Sequence, residues 1–71
     1  MESFIQPPVQ AGQKGNTISQ LRPAGKASFG GQKFDVVSRG ELIEANREII
    51  VVVVEGNRIV VREVPVAKNI T

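Results

Sequence analysis

The chain has 71 residues, enough for one small domain and no second one. It contains no His, Cys, Trp or Tyr, which excludes zinc sites built on His or Cys, a Ser-His-Asp triad, a cysteine nucleophile and any disulfide staple. Nine basic against seven acidic side chains leave a net charge of +2, too little to imply nucleic acid by itself.

Eleven Val and seven Ile stand against two Leu. β-Branched side chains lose rotamer freedom in a helix and pack well on a pleated surface, so this balance points to strands. The absence of Cys leaves the redox compartment open. No apolar run approaches the roughly 20 residues of a membrane-spanning helix. The longest, Ile49 to Val54, has six. Met1 to Ile5 shows neither the basic start nor the long apolar segment of a secretory signal.

In chain order, residues 1–13 read as a flexible N-terminal tail, since Pro7-Pro8 forbids a helix and removes two backbone donors. Residues 14–65 read as the folded domain. A first strand runs from about Gly15 to Arg22 and ends at Pro23-Ala24-Gly25, where Pro presets a turn and Gly supplies a positive φ. A second runs from about Lys26 to Phe29, and Gly30-Gly31 then makes a tight hairpin. The third, from about Gln32 to Ser38, alternates Phe34 and Val36 with Lys33 and Asp35, so Ala27, Phe29, Phe34 and Val36 meet in the core. Ser38 to Arg47 shows no sustained 3.6-residue period and reads as a connection, with Asn46 at a turn. Glu48 to Val54 and Arg58 to Val64 form the last hairpin, and Pro65 ends it. Residues 66–71 read as a C-terminal tail. Five short strands, no long helix and frequent Gly turns predict an all-β fold, a small five-stranded OB-like barrel. Closure removes edges that so short a chain could not otherwise cover.

The turn residues carry a recognisable pattern. Gly12-x-x-Gly15 is followed by Leu21-Arg22-Pro23-Ala24-Gly25, the Gly30-Gly31 hairpin, Asp35-Val36-Val37-Ser38-x-Gly40-Glu41-x-Ile43, and the Val-rich strand ending in Val54-Glu55-Gly56. In this order and spacing, from about Gly12 to Val64, the chain resembles the C-terminal soluble domain of the NfeD family of membrane proteins. Members usually carry Gly where this chain has Asn46. Asn is the commonest substitute at positive φ, so the turn is expected to survive. The resemblance implies an OB-like barrel at the end of a protein with several transmembrane helices, preceded in long members by a serine protease domain similar to ClpP. It also implies partnership with stomatin- or flotillin-like membrane scaffold proteins. The side of the membrane stays open, with the cytoplasmic side favoured.

One strand offers a candidate contact surface. All six residues from Ile49 to Val54 are apolar, yet a barrel wall needs one apolar face only. On the return strand Ile59 and Val61 share one face, and Arg58, Val60 and Arg62 share the other. A two-residue turn at Gly56-Asn57 sends Ile50, Val52 and Val54 inward and leaves Ile49, Val51, Val53 and Val60 as an outward docking stripe. A three-residue turn exchanges the two sets on the long strand. The occupant of the stripe is another chain, the rest of the parent protein or a second copy. The competing explanation is cover by the tail residues Phe4, Ile5 and Val9 or by an adjoining strand.

Other constellations are weaker. Arg22, Lys26, Lys33 and Arg39 are among five basic groups that, against two acidic ones, leave residues 1–40 at +3, whereas residues 41–71 carry −1. An anion-facing patch and an ordinary solvated face both fit that asymmetry. A nucleic-acid-binding OB protein is the alternative function. It needs stacking aromatics, and the core pattern already claims Phe29 and Phe34. Glu41, Glu44 and Glu48 lack the alternating spacing of a calcium loop. Ser3, Ser19, Ser28 and Ser38 have no His to activate them, and no helix follows Gly30-Gly31 to hold a phosphate. A lipoyl- or biotinyl-type carrier needs Lys at a hairpin tip, where this chain has Glu55-Gly56-Asn57. The sequence therefore predicts a non-catalytic interaction domain with no metal, no cofactor and no membrane span of its own.

Overall fold

The strands are β1 (Lys14–Thr17), β2 (Ala24–Phe29), β3 (Gln32–Val37), β4 (Glu48–Glu55) and β5 (Arg58–Glu63). They close in the order β1-β2-β3-β5-β4. The structure is a computed structural model and describes residues 9–65. The expected tails at 1–8 and 66–71, with Phe4, Ile5 and Ile70, lie outside the described residues. Every neighbouring pair is antiparallel except β3 and β5. The expected all-β, five-stranded barrel is what forms, and no helix occurs among the described residues.

Local chemistry explains the ladder. Gly30 and Gly31 both take a positive φ, the requirement of the two-residue turn that matches strand twist, and Phe29 faces Gln32 across it. Ala27, Phe29 and Val36 are buried from this hairpin, and Phe34 packs against them. The Phe29 and Phe34 rings meet edge to face at 5.8 Å. Leu21, Ile43, Ile49, Val51, Ile59 and Val61 complete the core from the other elements.

The first strand is shorter than expected and the second longer. Ala24-Gly25 belongs to β2, and Gly25 is absent from the positive-φ residues. Its lack of a side chain serves close approach instead. A Cβ there would stand 2.5 Å from the Gln20 carbonyl oxygen and 2.6 Å from Leu21 Cδ2. After β1 the chain crosses β2 at this point, which brings Leu21 into an isolated bridge with Ile43.

Two further features tie down irregular chain. The Thr17 hydroxyl is buried, donates to the Glu44 carbonyl at 2.6 Å and accepts from the Arg47 amide at 2.9 Å. It thereby holds the turn at Asn46, whose φ of 62° confirms the left-handed position expected there. Val9 is buried in the core, and the Gly12 amide donates to the Val51 carbonyl at 2.8 Å. Among the described residues, packing therefore includes Val9 and the Gly12 backbone, which the sequence assigns to the N-terminal tail.

Candidate functional site

Strand β4 decides which apolar side chains remain for contact. Glu55 pairs with Arg58, so the turn is the two-residue Gly56-Asn57. Val54 then pairs with Ile59 and packs against the core, while Val53 pairs with Val60 on the other face. The register shifts between Val51 and Val53, leaving Val52 as an extra residue. A β-bulge of this kind reverses the alternation beyond it. Ile49 and Val51 are consequently core residues, 0% and 2% exposed. The expected outward stripe is corrected accordingly: Ile49 and Val51 leave it, and half-buried Ile50, opposite exposed Arg62, joins Val53 and Val60.

The remaining outer residues are continuous with a row that the sequence reading did not assemble. Ala24 pairs with Val37, Val37 with Val60, and Val60 with Val53. By strand alternation these four point away from Ala27, Val36, Ile59 and Val54 and form an apolar row across β2, β3, β5 and β4. Val60 is 6% exposed yet lies outside the core cluster, and the other three are half-buried or exposed. The signal for this row was present in the sequence as Val37 and Val60. Assembling it required the parallel β3–β5 pairing, a contact between distant segments.

Two adjoining grooves border the row. The larger, about 680 Å³, opens where β3 and β5 part and is lined by Lys26, Asp35, Val36, Val37, Arg58 and Ile59 among others. The smaller, about 330 Å³, is lined by Pro23, Val37, Arg39, Val53, Arg58 and Val60 among others. Lys26 Nζ and Asp35 Oδ1 pair at 2.7 Å on the rim. The arrangement is an apolar floor with a charged border and open access, suited to contact with another macromolecule.

The other candidates do not assemble. Among the described residues no three carboxylates converge on a metal position, Glu41, Glu44 and Glu48 included. Arg22, Lys26, Lys33 and Arg39 are all exposed. In OB-type barrels the face of the second and third strands commonly binds oligonucleotides by base stacking. Here Phe29 is core and Phe34 packs on the core, so that outer face presents no aromatic platform among the described residues.

A family model described as the NfeD-like C-terminal, partner-binding domain matches residues 10–63. The chain belongs to the NfeD family. This NfeD domain is 43% identical over 53 residues to "Membrane protein NfeD1b" of Bacillus subtilis (strain 168), a match covering 75% of this chain and 12% of that protein. The chain therefore spans about an eighth of the curated relative's length. Among solved structures it is similar to the C-terminal domain of stomatin operon partner protein 1510-C from Pyrococcus horikoshii, with a TM-score of 0.74 at 23% identity. That match covers 79% of this chain and 89% of the other, and shows a shared fold. The NfeD domain is thus a partner-binding module, not a catalytic one.

Proposed function

We propose that this NfeD domain docks a stomatin-type membrane scaffold protein on the row formed by Ala24, Val37, Val53 and Val60, on behalf of a membrane-anchored parent protein. The observation that carries this reading is the apolar row itself. A barrel needs no apolar side chains on its outer wall, and a contiguous set there marks a contact surface. The family description supports partner binding, and the similar structure described as a domain of a stomatin operon partner supports the class of partner. The relative from Bacillus subtilis supports the membrane-anchored parent.

The test is a binding measurement between the 71-residue chain and a purified stomatin-type protein from the same cell, with a flotillin-type protein alongside. Val53→Glu sets a carboxylate into the row without touching the core and should abolish binding. Val53→Thr should weaken it. Binding that survives both changes unaltered removes the row from the interface. Preference for the flotillin-type protein, or concentration-dependent dimerisation through the same row, replaces the proposed partner.

A further inference from the structure

The barrel closes unevenly. Strands β4 and β5 share six residue pairs, whereas β3 and β5 share two, Val36 with Ile59 and Val37 with Val60. Backbone directions on β3 follow from its neighbour. The Lys26 carbonyl accepts from the Ile18 amide at 2.8 Å, and the Lys26 amide donates to Ser19 Oγ at 3.0 Å. Lys26 therefore spends its backbone groups on the side away from β3. Asp35, which sits opposite Lys26, must then turn its own N–H and C=O away from β2. Two residues earlier, Lys33 does the same. That outer edge of β3 meets β5 only from Val36 onward.

Because Val36 gives its backbone groups to β2, its parallel pairing with Ile59 uses the Asp35 carbonyl, so among the described residues the Lys33 N–H and C=O and the Asp35 N–H form a short unpaired strand edge leading into the larger groove. A row of unpaired backbone donors and acceptors is a template for another strand. Val36, Val37 and Ile59 line the adjoining groove, where alternate side chains of an added strand would settle. The charges discriminate further. Lys26 and Asp35 neutralise each other, while Arg39 and Arg58 stand on the groove borders in no ion pair with a described residue, against Glu55 alone.

We propose that the partner is held by strand addition: an extended segment alternating apolar and acidic side chains pairs with the Lys33–Asp35 edge of β3 and places a carboxylate at Arg58. This deepens the docking reading above and rests on it.

The experiment uses the 71-residue chain and two synthetic peptides, one alternating valine with glutamate and one alternating valine with lysine. Hydrogen exchange is followed at individual amides. In the free chain the Lys33 and Asp35 amides should exchange faster than those of Phe34 and Val36. The glutamate peptide should slow them and the lysine peptide should not. Lys33→Pro removes one edge donor that β2 does not use and should weaken the glutamate peptide about tenfold, the order expected for a backbone hydrogen bond. Lys33→Ala keeps the donor and should bind as the parent does. Arg58→Gln should narrow the gap between the two peptides. If Lys33→Pro does not fold, the exchange pattern of the parent chain decides alone. Equal binding of both peptides, or no protection at Lys33 and Asp35, overturns the proposal. The stomatin-type protein is measured in parallel. If it binds through Val53 while Lys33 and Asp35 stay unprotected, strand addition fails and docking stands. If the glutamate peptide protects the edge while the protein does not bind, the named partner fails and strand addition stands.

Discussion

The two ends of β4 are both built from β-branched apolar side chains and face opposite surroundings. Before the bulge, Ile49 and Val51 sit in the core between β1 and β5. After it, Val53 lies on the outer wall beside Val60. One extra residue, Val52, separates the two regimes. The difference teaches that hydrophobicity on this strand does two jobs. One end supplies burial that a barrel of this size cannot spare, and the other supplies contact area the barrel itself does not need.

Substitutions can break this comparison in a defined order. Ile49→Ala should cost about 2–5 kcal/mol, the range for deleting a buried aliphatic side chain, read as a shift in the urea midpoint. Val51→Thr buries a hydroxyl among apolar neighbours and should cost about 1–3 kcal/mol in the same assay. Asn46→Ala should cost about 1–2 kcal/mol because its left-handed backbone then carries an ordinary Cβ, whereas Asn46→Gly should be nearly neutral. Val53→Thr should move stability by no more than about 0.5 kcal/mol while weakening partner binding. Equal destabilisation by the threonine changes at 51 and 53 would show that the bulge does not separate the faces.

Much of this was legible before the structure. The Gly30-Gly31 turn, the alternation of Phe34 and Val36, and the last hairpin all follow from local rules, and β3, β4 and β5 form within a residue of where those rules place them. The NfeD resemblance rested on turn residues and is matched by the family. The orientation of β4 was not legible, for a physical reason. Six consecutive β-branched residues carry no period-2 signal, so nothing in them reports a bulge that reverses the phase. Gly25 was misread because a turn glycine and a close-approach glycine look alike until the crossing chain at Gln20 and Leu21 is seen. The buried Thr17 hydroxyl and the Leu21–Ile43 bridge depend on contacts between distant segments. The apolar row depends on the parallel β3–β5 pairing in the same way.

The central claim is that contact occurs on the wall formed by β2, β3, β5 and the far end of β4. Its most direct test is a map of backbone amide shifts in the isotope-labelled 71-residue chain as a purified stomatin-type protein is added. The account predicts changes concentrated at Ala24, Val37, Val53, Arg58 and Val60. Changes centred instead on Lys14 and Asn16 of β1, with that wall unmoved, would contradict it.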